Sequence, residues 1–486
     1  MNRIIIPMLV FAAWATSLSA QTVSLDPTFG KNGMTVLTIE GEIRYLEFDK
    51  KENIIAVGRD DDYSYIVKTD ADGFVDKSFG SEGIVRLPDN FSPHGLKITN
   101  ENKYLVLVGY PASQVYQLLY LFQFNENGSI DESFGSNGKI SVNTSSEQLC
   151  VANLESDDFM LLILGYFIRK YNYKGELDDN FSNNRILTDD ETYRIAPRCM
   201  KVLNDQSILI AGYDFLNTEK ELGMIKLTPD GHLDTSFATR GIWKKNIFAD
   251  EDGVAFCGWE DITDIIEDSK GNPIVLCTTF GTLYAPFSCI INLFSDGTIN
   301  PHFGMNGFYY HYYSDTNRLH SKQKILQNGN KYIACLNNVM TTNKARIICV
   351  NDNGILDLTF NNTGVFNCED YTALIIKQQE TNKFILGGGY GTRWNSTKSS
   401  IVRIHIPSGV SIKTFLPNEK STFFFPNPIK DILYLGIEKR FEIMDIQGKV
   451  LFRSEKAVLF TNVSHLKAGI YFIKFEDGSV GKFVKE

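Results

Sequence analysis

The chain has 486 residues, 43% hydrophobic and 22% charged, with a formal net charge of −10. That length holds one large repeat array or several domains. No long basic run offsets the acidic balance, which excludes a phosphate-backbone binder, since such a protein needs clustered Lys and Arg. Residues 1–20 open on Asn2-Arg3, run apolar over 4–15, and end on Ser17, Ser19 and Ala20 before Gln21. They read as a secretory signal peptide cut after Ala20. The run is short for a membrane span, and no other stretch approaches a transmembrane helix.

From Leu25 one phrase recurs: Leu25-Asp26-Pro27-Thr28-Phe29-Gly30-x-x-Gly33, then Val75-Asp76-Lys77-Ser78-Phe79-Gly80-x-x-Gly83. Further copies centre on Phe134, Phe181, Phe237, Phe303 and Phe360, spaced 47 to 66 residues apart along the series. A fixed period of this kind marks a repeat architecture. Between phrases lie short runs rich in Val, Ile, Tyr and Phe. In the first unit they cover 34–39, 43–48, 54–58 and 63–69, separated by polar turns. Strands at such spacing, with no sustained helical periodicity, predict an all-β fold. Four strands per unit and seven units predict a seven-bladed β-propeller of four-stranded blades. The last blade then ends near Ile406, with 401–406 as its outer strand.

Asp-Gly or Asn-Gly pairs precede most copies: Asp72-Gly73, Asn127-Gly128, Asp230-Gly231, Asp296-Gly297 and Asn353-Gly354. Glycine there supplies a positive φ. The Asp of the phrase bonds its own nearby backbone, leaving Phe29, Phe79, Phe134, Phe181, Phe237, Phe303 and Phe360 to wedge into the seams between blades as structural residues. These motifs resemble the delta-sixty repeat family over nearly all of 25–409. The resemblance implies a propeller without a shared activity or catalytic residue. The fourth copy departs at Ser182 and Arg185, the fifth at Ala238, the sixth at Asn300 and the seventh at Asn361.

All eight cysteines lie between Cys150 and Cys368. Cys277 and Cys335 stand where other repeats have Val57, Val108 and Ala211, as small core hydrophobes do. Cys257 falls in a loop insertion and is the better disulfide or reactive-thiol candidate. No Cys-x-x-Cys occurs, so zinc and thioredoxin-like readings lapse.

The text changes after 415. Residues 416–422 read as a linker. Residues 423–486 read as a small β-sandwich of short alternating strands, and 21–415 as the propeller. The tail carries Pro426-Asn427-Pro428, Asp445-x-x-Gly448-Lys449, Leu466-x-x-Gly469-x-Tyr471 and a terminal Lys482-Phe483-Val484-Lys485. In that order they resemble the C-terminal sorting domain of type IX secretion cargo in Bacteroidota. The resemblance implies the type IX machinery as a partner, passage through the outer membrane, and a secreted or cell-surface location.

Catalytic motifs are absent from the sequence: there is no Gly-x-Ser-x-Gly, His-Glu-x-x-His or phosphate-cradling loop. The seven histidines are scattered. Asp60-Asp61-Asp62 and Asp250-Glu251-Asp252 offer carboxylates for calcium, but read as solvated loops, and no cofactor or metal is predicted. Loop lengths say more. The turns 50–53, 100–103, 155–158 and 328–330 are uniformly short, whereas the loops on the opposite face vary, with 246–260 the longest. Variable loops on a rigid scaffold are where binding concentrates. They carry Trp259, Trp394, Tyr284 and Tyr390 near Asp250 and Asp252, a set suited to sugar or peptide. The leading reading is therefore a binding module for a glycan or protein ligand. A polysaccharide hydrolase or lyase using Asp250 and Asp252 is the alternative, and a structural surface coat the third.

Overall fold

The computed structural model describes residues 22–87, 91–109, 118–143, 151–153, 159–164, 167–172, 176–181, 195–214, 221–247, 259–280, 287–312, 323–338, 344–361, 363–391, 397–407, 432–456, 458–476, 478 and 480–485. Every regular element among them is a strand. Up to residue 407 the strands form seven antiparallel groups.

The first sheet contains Glu42–Phe48, Ile54–Arg59, Ser64–Thr69 and Ile84–Arg86 in spatial order. The second has Ser92–Ile98, Tyr104–Gly109, Leu118–Phe124 and Lys139–Asn143. The third shows three described strands, Val151–Asn153, Phe159–Leu164 and Phe167–Asn172. The fourth has Ile195–Val202, Ile208–Asp214, Leu222–Leu227 and Ile242–Lys245. The fifth has Trp259–Glu267, Pro273–Phe280, Phe287–Asn292 and Phe308–Tyr312. The sixth has Lys324–Asn328, Lys331–Asn338, Lys344–Asn351 and Val365–Cys368. One parallel pairing, Lys344 with Tyr371, joins it to the seventh. The seventh contains Tyr371–Glu380, Lys383–Tyr390 and Lys398–His405, and its fourth strand is Met34–Glu40 from the far end of the chain.

This pairing corrects the strand grouping read from sequence. Residues 34–39 do not begin the first blade, and 401–406 is not an outer strand. The phrases of Phe79, Phe134, Phe237, Phe303 and Phe360 each lie within a sheet, connecting its third strand to its fourth, and that of Phe29 leads into the fourth strand of the seventh sheet. A repeat has no intrinsic phase: local sequence is equally compatible with any starting strand. The phase is set by the one sheet that must borrow a strand, since no further phrase follows His405.

Second and third strands are apolar almost throughout. Ile54, Ile55, Ala56 and Val57 are all fully buried, because both faces of each sheet pack on neighbours. Cys277 and Cys335 are likewise buried; by register Cys335 is the equivalent of Val57 and Ala211, and Cys277 that of Val108. Cys257 lies outside the described residues. Core clusters fill the seams from first to second sheet, third to fourth, fourth to fifth, fifth to sixth, and sixth to seventh. A further cluster packs Ile375, Ile385 and Ile401 of the seventh sheet against Ile43, Leu46 and Ala56 of the first. First strands also neighbour one another in sequence order, and that of the seventh sheet returns to that of the first. The cycle of contacts is closed.

Five of the first strands share a β-bulge at one level: between Ile43 and Tyr45, Pro93 and Gly95, Pro197 and Cys199, Ile262 and Asp264, and Ala373 and Ile375. A bulge bends its strand and re-aims the extra residue.

In the tail, Ile432–Lys439 pairs with Val458–Asn462. A four-stranded sheet orders Val450–Arg453, Phe441–Asp445, Gly469–Phe475 and Val480–Lys485. Leu433, Leu435, Phe441, Ile443, Ile473 and Phe483, drawn from both sheets, belong to one buried cluster.

Candidate functional site

The two faces of the ring are built differently. One carries the short turns from first to second strand together with the phrases. Each phrase is a fixed device. Asp26 Oδ1 accepts from the backbone N and the hydroxyl of Thr28 at 3.0 and 2.6 Å. Ser78 does the same to Asp76, Ser133 to Asp131, Ser236 to Asp234 and Thr359 to Asp357. The Phe backbone N then donates to the Asp carbonyl, as Phe29 does to Asp26 at 3.0 Å.

The phrase also locks onto its neighbour. Gly30 N donates to Asp72 O at 2.7 Å, Gly80 N to Asn127 O at 2.9 Å, and Gly304 N to Asn353 O at 2.7 Å. All seven phrase phenylalanines are buried, the most exposed being Phe134 at 7%. The ring of one copy lies against the Asx-Gly turn of the next. A Cβ on Gly73 (φ +84°) would stand 2.5 Å from Phe29. That turn therefore needs glycine twice over, for its positive φ and for the close approach of the ring.

Sequence reasoning missed the charge beneath each phrase. Lys68, Lys170 and Lys226 stand eight residues before Asp76, Asp178 and Asp234. Each ammonium approaches its Asp at 3.8, 3.8 and 3.4 Å, and lies 6.0, 5.7 and 5.9 Å from the centroid of Phe79, Phe181 and Phe237. Where that position is Gln123 or Cys349, the cation comes from the head of the second strand: Lys103, just before it, meets Asp131, and Lys331, its first residue, meets Asp357, both at 2.6 Å. Where it is Asn292, the partner is Asn300, 3.3 Å away. The Asn300 departure is thus matched by its partner. The signal was visible in the aligned repeats as a Lys eight residues before the phrase Asp in three copies and an Asn before the Asn of the sixth.

These contacts set the carboxylates' acidity. Asp26, Asp234 and Asp357 sit below the ordinary value: burial opposes the charge, but hydroxyl and backbone donors and the nearby cation outweigh it. Asp131 is lowered chiefly by Lys103, and Asp76 chiefly by the Ser78 hydroxyl. A depressed folded-state value gives stability that is present above the unfolded value, about 3.9, and lost as pH falls through the folded values. The melting temperature should stay level from neutral to about pH 5 and drop steeply below about pH 4. A level profile to pH 3, measured by circular dichroism, would contradict this.

The fifth copy carries a strained residue. Ala238 has φ 46°, where Gly30, Gly80, Gly135 and Gly304 have φ between 51° and 56°. Asn361 sits there at φ 50° and donates from its amide to Val365 O at 2.8 Å. Ala238 has no side-chain donor to compensate. Ala238→Gly should raise stability by about 1 kcal/mol, read as a higher urea midpoint, and Asn361→Gly by less.

On the opposite face, the second-to-third-strand loops and the links between sheets emerge. Trp259 begins the first strand of the fifth sheet, its backbone opposite Phe280. Tyr390 ends the second strand of the seventh sheet and is 40% exposed. Trp394, Tyr284, Asp250 and Asp252 lie outside the described residues. Asp60 is committed to its own turn, accepting from Asp62 N at 2.9 Å and pairing with Arg86 at 3.2 Å.

At this end the first strands are joined by charge. Arg198 Nε meets Asp261 at 3.1 Å across the fourth-to-fifth seam, and Lys324 meets Asp264 at 2.9 Å across the next. Burial works against the Lys324 charge, yet Asp264 keeps its ammonium above the ordinary range. Arg44, the bulged residue of the first sheet, has a buried Nε with no acceptor among the described residues. Burial and the Arg44 charge hold neighbouring Arg59 below its usual value. Chemically this is a mixed-charge wall able to donate hydrogen bonds. Among the described residues no group of three metal-ligating side chains converges, and no helix is long and apolar enough to cross a membrane.

The sheets and their closed cycle of seams define the class, an all-β, propeller-like protein. Residues 203–237 match the family described as "Domain of unknown function (DUF5122) beta-propeller". Residues 423–486 match the "Secretion system C-terminal sorting domain", which implies type IX handling and delivery to the cell surface or beyond. No curated protein matches the chain. Among solved structures, PorZ, a surface component of the type-IX secretion system of Porphyromonas gingivalis, is similar at 11% identity and TM-score 0.37, over 94% of this chain and 61% of PorZ. The chain thus spans about three-fifths of that protein's length. A Dyadobacter fermentans protein of unknown function is similar at 12% identity and TM-score 0.41, over 79% of this chain and 100% of its own. The extracellular domains 1–2 of Drosophila Semaphorin 1a are similar at 7% identity and TM-score 0.44, covering 89% and 98% of the two chains.

Proposed function

We propose that this chain is a secreted or cell-surface binding module: a seven-bladed β-propeller of delta-sixty repeats that presents its long-loop face to a glycan or protein. Residues 1–20 are the signal peptide, 21–415 the propeller, 416–422 a linker, and 423–486 a sorting β-sandwich that hands the chain to the type IX machinery. The observation that carries the reading is the sorting-domain match at 423–486. It is supported by the asymmetry of the ring. The phrase face spends its conspicuous residues on seams and turns, so recognition falls to the other face, where loop length and sequence vary. Fold alone assigns no activity.

Trp259 and Trp394 are the anchors in this reading. Replacing both by Ala should weaken binding on a glycan and surface-protein array at least tenfold, while leaving the melting temperature within a few degrees. A broad array on which the wild-type chain captures nothing would remove the ligand claim.

A further inference from the structure

Cys277, on Pro273–Phe280, and Cys289, on Phe287–Asn292, are direct Cα partners in the antiparallel register of the fifth sheet. Directly opposed residues place their side chains on the same face. Both are fully buried in the core cluster between the fourth and fifth sheets. The Cys277 thiol donates to the Cys289 carbonyl at 3.4 Å, so its sulfur lies over the partner residue. Opposed Cα atoms in such a ladder are roughly 4.5–5.5 Å apart, inside the roughly 4.4–6.8 Å window for a disulfide. Both are free thiols in this structure, and that spacing admits a disulfide.

The equivalent positions elsewhere pair Gly58 with Tyr65, Val108 with Tyr120, Gly212 with Gly223, Leu336 with Arg346, and Gly388 with Ser400. Of these pairings only the fifth sheet's places a thiol on both strands. The segment between them, 278–288, contains the loop that carries Tyr284 at the proposed ligand face.

We propose that Cys277 and Cys289 are an oxidation site that closes as a cross-strand disulfide and pins the stem of this loop. The two thiols give up two protons and two electrons. A disulfide-bearing thiol oxidoreductase outside the cytoplasm accepts them and leaves as its dithiol, by exchange through a mixed disulfide. That setting rests on the secreted reading above. Because the fourth sheet covers both sulfurs, the exchange takes place on the folding chain, before the seam seals.

The full chain is reduced in denaturant and refolded in a mixture of reduced and oxidised glutathione, which tests the pair apart from export. A second sample is recovered from the surface or medium of producing cells. Both are digested without reductant by a protease that cuts after aromatic residues, since Phe280, Tyr284 and Phe287 lie between the two cysteines. The Cys277 and Cys289 peptides should run joined, lighter by two hydrogens, and separate on reduction. Reductant should also raise the unfolding constant of the wild type on the order of a hundredfold, and have no such effect on Cys277→Ala. Separate alkylation of both thiols in the refolded chain, or linkage of Cys277 to Cys257, overturns the proposal. A linked refolded chain beside an unlinked cell-derived one upholds the pair and counts against the exported setting.

Discussion

Arg403→Ala should cost about 3–5 kcal/mol of folding stability. Arg403 is 1% exposed. Its Nε meets Asp26 at 2.8 Å, one Nη reaches Ala71 O at 2.9 Å and Gln379 at 3.3 Å, and the other reaches Thr28 at 3.0 Å and Asp72 at 3.2 Å. The guanidinium also lies 4.8 Å from the centroid of Phe29. It therefore ties three parts of the chain: the first phrase, the first Asp-Gly turn and the seventh sheet. Truncation would leave Asp26 buried without its cation, the condition under which a buried pair is most costly to break. Lys should not rescue, because five acceptors arranged around a planar fork cannot be met by one ammonium. Urea unfolding reads the loss. Limited proteolysis should show residues 22–40 released first, since Met34–Glu40 is held on the seventh sheet beside this contact. A loss below 1 kcal/mol would mean that the ring does not depend on this closure.

Phe79→Ala should cost a similar amount, about 3–5 kcal/mol. Phe79 is fully buried in the first-to-second seam, with Tyr104 at 6.0 Å between centroids. It lies against Gly128, where a Cβ would come within 3.0 Å of the ring. Removing it also strips an aromatic wall from Lys68, whose side chain is 7% exposed and whose ammonium pairs with Asp49 and Asp76 at 3.8 Å. Phe79→Leu should recover about half the loss by refilling volume without the flat face. Circular dichroism and urea titration of both variants separate the cavity from the contact with the charge.

Much of this was legible from residues alone. The phrase announced its turns, because Asp-x-Ser/Thr and Asx-Gly have local geometries that neighbours need not supply. The strands showed as short Val- and Ile-rich runs because both faces are buried. The phase of the repeat was not legible: only the pairing of Met34–Glu40 with Lys398–His405 reveals it, and those partners lie at opposite ends of the repeat array. The Lys68, Lys170 and Lys226 pattern was on the page but carries no local signal, since an isolated Lys in a strand usually reaches solvent. Arg403 was hidden for a different reason. Its partner Asp26 is 377 residues away, and no local pattern joins them. For the candidate ligand face, Tyr390 is exposed and Trp259 heads a strand, while Trp394, Tyr284, Asp250 and Asp252 lie outside the described residues. That face rests on loop length and residue chemistry.

The account centres on a ring delivered outside the cell by its own tail. The most direct measurement is the location of the full chain and of a chain ending at residue 422, both produced in a bacterium with a working type IX system and followed by surface proteolysis and cell fractionation. The full chain should be found on the surface or in the medium, and the shortened chain, folded to the same melting temperature, should be retained in the periplasm. Equal surface delivery of the two chains would contradict the account.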